Sequence, residues 1–263
     1  MATQPPPPLP IFYKELTPLL STDHAGWHSR GSDTAEYFAN QHAIPLTVDE
    51  FVLAQRFYPI VFSDSDEPVP LGLFGLNEGV NTLVADQGKP YAPFYVPVYV
   101  RRYPFMLARL RADAQDMSLC FDPQSGMVGD FKDGQPLFED GKPSETLNTI
   151  MKFCEDFETS VQRTGQFIRE IKELDLLIDG EVTIQANGSE QPFIYRGFKM
   201  ISEDKVRDLH GDQVRKLNQN GILHLVYAHL FSLALVQNVF ATQVGQGKVP
   251  GLDSQAQPAP AEA

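Results

Sequence analysis

Pro143-Ser144-Glu145-Thr146-Leu147-Asn148-Thr149-Ile150-Met151-Lys152-Phe153-Cys154-Glu155-Asp156-Phe157 is the stretch where the character of this 263-residue chain changes. Ser144 is a helix N-cap type, and Glu145 suits the positive end of a helix dipole. Leu147, Ile150, Met151, Cys154, Phe157 and Val161 then recur at helical spacing. A second apolar face, Phe167, Ile168, Ile171, Leu174 and Leu177, carries the pattern to Asp179-Gly180, with Gly165 as a break or weak point. Downstream, Ser202 caps a third helix that Asn220-Gly221 ends, and a fourth helix is expected from about Ile222 to Ala241. Between them Val182-Thr183-Ile184 and Phe193-Ile194-Tyr195 flank Asn187-Gly188, a hairpin signal.

Upstream of Pro143 the text is strand-like. Phe94 to Val100 is aromatic and β-branched, with Pro97 suggesting an edge or bulge; Asn81 to Asp86 and Met117 to Asp122 are shorter strand candidates. Turn signals separate them, among them Gln87-Gly88-Lys89-Pro90 and Lys132-Asp133-Gly134. The expected class is α+β. A β-rich N-terminal half (45–140) with many short strands packs against a helical C-terminal half (144–243) containing one hairpin. One domain spans 11–244. A Pro-rich lead-in (1–10) and a Gly/Pro/Ala-rich tail (245–263) are expected to be disordered.

A phrase recurs in the β-rich half. Arg56-Phe57-Tyr58-Pro59-Ile60-Val61-Phe62 is echoed by Arg101-Arg102-Tyr103-Pro104-Phe105-Met106-Leu107. Proline fixes its own φ and pushes the preceding tyrosine toward an extended conformation, so each phrase turns a corner into a buried segment. If the corners lie side by side, Arg56, Tyr58, Arg101, Arg102 and Tyr103 form one site for an anionic group or a partner peptide. The alternative is that the arginines pair with surface carboxylates.

Composition narrows the function. A net charge of −13 without a basic stripe disfavours nucleic acid and anionic membrane surfaces. With 42 % hydrophobic residues, 18 Phe and 9 Tyr, a large aromatic core is expected. Cys120 and Cys154 sit far apart in apolar text and read as buried thiols. His24 and His28, four apart across Gly26, lack a third metal ligand in sequence, and no metal or cofactor is expected. The start of the chain has no basic and apolar leader, so a cytoplasmic location is expected. From Ile222 to Val244 there is no Asp, Glu, Lys or Arg, but His224, His229, Ser232, Gln237 and Asn238 favour a buried helix over a stable membrane span. His229 reads as a buried structural histidine; with Ser232 three residues on, a proton-transfer pair is the alternative.

Taken in order, the text resembles the SapC family. The matching segments are Val48-Asp49-Glu50-Phe51, Tyr58-Pro59-Ile60-Val61-Phe62, Phe74-Gly75-Leu76, Tyr95-Val96-Pro97, Arg101-Arg102-Tyr103-Pro104-Phe105 and Cys120-Phe121-Asp122. They continue through Phe138 to Pro143, Gly197-Phe198 and Tyr227-Ala228-His229-Leu230-Phe231-Ser232-Leu233, so the resemblance runs from about 12 to 240. It implies a bacterial protein linked to surface-layer or outer-membrane protein systems, and brings no catalytic residue set. The leading expectation is a non-enzymatic accessory protein that binds a protein or peptide. The rival is an enzyme, or a partner of a flavin-dependent halogenase-like enzyme, acting in a pocket between the halves.

Overall fold

A computed structural model describes residues 9–32, 34–110, 116–184 and 193–248. Pro5 to Pro8, the Asn187-Gly188 turn and most of the expected tail lie outside them. The N-terminal half runs β1 (Thr17–Pro18), β2 (His28–Ser29), α1 (Glu36–Ala39), β3 (Ala43–Pro45), α2 (Phe51–Ala54), β4 (Ile60–Ser63), β5 (Pro70–Leu73), α3 (Val98–Arg101), β6 (Phe105–Ala108), β7 (Ser118–Phe121), β8 (Val128–Gly129), β9 (Gln135–Pro136), β10 (Phe138–Glu139) and β11 (Lys142–Pro143). The C-terminal half follows with α4 (Glu145–Glu173), β12 (Leu177–Asp179), β13 (Val182–Ile184), β14 (Phe193–Tyr195), β15 (Phe198–Ile201), α5 (Glu203–Arg207), α6 (Gly211–Gln219), α7 (Leu223–Ser232) and α8 (Val236–Gly245). The protein is α+β, with short antiparallel strands mostly before α4 and helices mostly after it.

The central sheet has five antiparallel strands in the order β12-β15-β4-β5-β3. The C-terminal half therefore supplies two strands to a sheet begun before α4. Both faces of β4 are covered, because side chains alternate along a strand. Ile60 and Phe62 join a cluster with Phe167, Ile168 and Ile171 of α4. Val61 points the other way, to Phe198 and to Val236, Val239 and Phe240 of α8. Two three-stranded sheets, β1-β7-β6 and β8-β2-β9, carry the second Tyr-Pro phrase and the start of the chain.

Helix α4 is the long element that the Pro143 junction predicts. Ser144 Oγ accepts from Leu147 N–H (3.1 Å) and donates to the Pro136 carbonyl (2.6 Å), so the cap also ties the helix to β9. The helix continues for 29 residues, straight through Gly165. It stops four residues before Leu177, the last residue of its apolar pattern. Asp175 turns left-handed (φ 52), and Leu176 N–H reaches back to the Ile171 carbonyl (3.0 Å), which closes the helix by a Schellman-type turn. Leu177 then belongs to β12.

Four further expectations change, each because distant groups settle local backbone. Phe94 to Val100 is not a strand. Its end coils into α3, whose first N–H, Val98, donates to the Glu50 carboxylate (2.7 Å). Asn81 to Asp86 forms no strand beyond one bridge, Val84 with Pro90; Asn81 Oδ1 instead accepts from the N–H groups of Leu83 (2.9 Å) and Val84 (3.1 Å). The third helix is two, α5 and α6, because His210 begins a new cap with Gln213. The fourth helix is interrupted by a 3₁₀ turn at Leu233–Leu235, where α7 on one core cluster gives way to α8 on another. By length and composition alone, Leu223–Gly245 is long and apolar enough to cross a bilayer. In this fold His229 and Ser232 are committed to the central sheet, whereas His224, Gln237 and Asn238 are exposed. The hairpin β13-β14 pairs antiparallel as expected.

Candidate functional site

The two Tyr-Pro phrases enter different sheets. After the first, β4 runs through the middle of the five-stranded sheet; after the second, β6 runs along the edge of the β1-β7-β6 sheet. Tyr58 is fully buried. Its hydroxyl donates to the Tyr95 carbonyl (3.0 Å), and its ring packs edge-on against Phe74 at 4.6 Å. Gly72 is required beneath it, since a Cβ there would lie 2.7 Å from the Tyr58 ring. Burial holds the Tyr58 phenol far above its ordinary range. Arg56 stays exposed, its guanidinium 5.9 Å from the Phe57 ring.

In the second phrase the Tyr103–Pro104 peptide is cis. Arg101 Nε donates to the Val96 carbonyl (3.1 Å) and Nη2 to the Tyr95 hydroxyl (3.3 Å). Tyr103 donates to Asp122 Oδ2 (3.2 Å); burial, then the Asp122 charge, raise its phenol. Asp122 also accepts from the N–H groups of Lys14 and Gln124, so this buried carboxylate is fully engaged. Arg101, Arg102 and Tyr103 line one cavity of about 520 Å³ that Cys154 also borders, and burial pushes the Cys154 thiol up to about 11. The structure thus gathers Arg101, Arg102 and Tyr103, links Tyr58 to them only through Tyr95, and leaves Arg56 outside. A single five-residue site does not form.

Glu50 is the node between the phrases. Its side chain is buried and accepts from Thr47 N–H (2.8 Å), Thr47 Oγ1 (3.0 Å), Val98 N–H (2.7 Å) and the Tyr95 hydroxyl (3.3 Å). Burial raises its carboxyl, and these donors pull it back down. One carboxylate thereby caps two short helical turns.

His229 is structural by geometry. Continuing the β15–β4 register from Phe198↔Ser63 and Lys199↔Phe62 brings Ile201 opposite Ile60. There the imidazole replaces a ladder hydrogen bond. Nε2 accepts from Ile201 N–H (3.0 Å), which leaves the proton on Nδ1 to donate to the Ile60 carbonyl (2.8 Å). Ser232 Oγ accepts from Ile60 N–H (2.9 Å) and donates to the His229 carbonyl (2.6 Å). Both side chains are spent on backbone groups, so the proton-transfer pair does not form. Burial lowers the His229 pKa to about 4. His24 is also buried, packed edge-on against Trp27, and among the described residues no trio of His, Cys, Asp and Glu stands close enough to hold a metal.

A groove of about 810 Å³ runs along α4. One wall is the helix, through Phe157, Val161 and Ile168; the other is Leu46 and Val69 beside β3 and β5, with Leu107 of β6 at one end. Thr164 fixes the walls together: its hydroxyl accepts from Val48 N–H (3.0 Å) and donates to the Ser160 carbonyl (2.7 Å). Arg102 borders both this groove and the smaller cavity. Its guanidinium lies 4.2 Å from the Phe157 ring and 4.6 Å from that of Tyr99, with Nη1 3.8 Å from Glu158 Oε1. Glu158 sits on the groove wall, its carboxyl raised by burial and lowered by Arg102.

A family model described as SapC matches residues 19–239. The chain belongs to the SapC family. No curated protein and no solved structure matches it. In this SapC chain the family text that the sequence offers, above all Tyr58, Asp122 and His229, builds the buried frame. The groove of the SapC chain lies instead on the outer stripe of α4, which sequence reading passed over. One signal was present. Val161 continues the apolar stripe of α4 but is 41 % exposed, so that stripe is wider than the core it meets.

Proposed function

We propose that this chain is a non-enzymatic binding protein that takes up an extended segment of a partner protein or peptide in the α4 groove. The observation that carries the reading is the groove itself: open, about 810 Å³, walled mainly by apolar side chains and placed where the β-rich half meets α4. An apolar trough with a few polar groups at its edge suits a peptide, whose side chains fill it while its backbone stays wet. The link to bacterial surface-layer or outer-membrane protein systems follows from the family resemblance and is part of the same proposal, as is a cytoplasmic location. The test is partner capture from the native host by the wild-type chain and by Val161→Glu, which puts a charge on the exposed groove wall without touching the core. Loss of the captured partner in the variant supports the groove. Equal capture by both sinks it, and so does the absence of any partner.

A further inference from the structure

We propose that Arg102 is the anchor for a carboxylate on the ligand of the α4 groove, an inference that rests on the groove reading above. The starting point is an imbalance. The Arg102 side chain is only 5 % exposed, yet its Nε has no hydrogen-bond partner among the described residues, and its ion pair with Glu158 is 3.8 Å long, beyond hydrogen-bond reach. Three buried polar groups elsewhere in this fold are partnered closely: Glu50 by four donors, Asp122 by three and His229 on both ring nitrogens. Among the described residues His28 Nδ1 and Gln246 Oε1 are also bare, but of the three bare groups Arg102 alone is a charged group on the groove. Neighbouring Arg101, on the surface, uses both Nε and Nη2. Buried donors in native proteins are nearly always satisfied, so an unsatisfied one calls for an explanation.

The Tyr99 and Phe157 rings, 4.6 and 4.2 Å from the guanidinium carbon, brace the group and leave its Nε unpartnered. A guanidinium braced in this way with a donor to spare is matched by a planar pair of acceptor oxygens, and carboxylate is that group among peptide chemistries. Glu158 occupies this role at a distance. It is partly exposed on α4 at the groove wall, so it can turn to solvent when a ligand carboxylate arrives. Of the other groove carboxylates, Glu67 lies 3.8 Å from Lys172, and Glu173 shares the lining with Arg169. The ligand carboxylate comes from either a chain terminus or an Asp or Glu side chain. The apolar walls take its neighbours.

The experiment is affinity selection on the immobilised full chain from random hexapeptides, made in matched C-terminal acid and amide forms. Wild-type protein should retain carboxylate-bearing peptides at least tenfold over their neutral counterparts. Enrichment of acids with neutral side chains assigns a chain terminus; enrichment of amides carrying Asp or Glu assigns a side chain. Arg102→Gln should abolish that preference while keeping the apolar one, and Glu158→Gln should raise carboxylate retention severalfold by removing the competitor. Equal retention of acid and neutral peptides overturns the anchor and leaves the groove standing. Retention of no peptide overturns the groove and the anchor with it. Should Arg102→Gln fail to fold, Glu158→Gln decides: unchanged or reduced carboxylate retention overturns the anchor.

Discussion

His229 and Arg102 are both buried nitrogen bases, and they are buried in opposite ways. His229 sits in the seam between β4 and β15 with each ring nitrogen on a backbone partner. Arg102 sits between two aromatic rings at the edge of a groove, with Nε bare and its ion pair stretched. The histidine was shed of charge to fit its place; the arginine keeps its charge and is poorly compensated. A buried group whose every atom is matched from within holds the fold together. One left short by the fold is open to something from outside.

That contrast can be broken experimentally. The largest expected effect is on His229→Ala, which orphans two buried backbone groups, Ile201 N–H and the Ile60 carbonyl, and opens a cavity in the seam. A loss of about 3–4 kcal/mol in urea unfolding is expected, at about 1–3 kcal/mol for each orphaned group. A loss below about 1 kcal/mol would show that the seam does not depend on the imidazole.

The next effect is acid sensitivity. The folded His229 pKa of about 4 lies below an unfolded value near 6.5. At pH above 6.5 the ring is neutral in both states and its contribution is complete. Below that the unfolded chain takes up a proton that the native state refuses, so stability falls between roughly pH 6.5 and 4, by about 3 kcal/mol in all. Among the described residues no charged side chain acts on the ring, which packs on Phe62 and bonds to backbone. Glu50 and Glu158, raised by burial, act in the opposite sense as pH falls. The measurement is therefore the difference between wild type and His229→Gln across that window. Parallel curves would contradict the neutral, buried histidine.

Ser232→Ala is a smaller cut in the same seam. It removes the acceptor for Ile60 N–H and should cost about 2 kcal/mol by the same unfolding measurement. The smallest effect should come from the other side of the contrast. Arg102→Met keeps the length and apolar contacts of the side chain and removes a poorly paired buried charge. Such replacements are often neutral or stabilising, so a change within about 0.5 kcal/mol is expected. If Arg102→Met costs as much as His229→Ala, Arg102 is a structural residue and the contrast collapses.

Much of the frame was legible in sequence because it is encoded locally. Ser144 and Glu145 mark the start of α4, Leu147 to Phe157 give its buried face, Ser118 to Phe121 form β7, and the β13-β14 hairpin appears where its strands were expected. The Thr47–Glu50 capping box has the spacing of that motif but was passed over, as was the second use of Glu50 in capping α3. The misreadings share a cause. Phe94 to Val100 has strand composition, but a carboxylate from far up the chain captures its N–H and starts a helix. His210 splits a helix that spacing alone would run together.

By itself, then, the sequence determined the class, the order of the main elements, the burial of the Ile60-Val61-Phe62 segment and of His229, and membership of the SapC family. Each rests on periodicity, capping or ordered text, which are properties of neighbouring residues. Only the tertiary structure decided which side chains meet. It separated Arg56 from Arg102, joined Tyr58 to Arg101 through Tyr95, and brought Phe157 and Glu158 of α4 against Arg102. It also decided which buried groups are satisfied. Satisfaction is a sum over partners contributed by distant segments, and no single segment carries that sum.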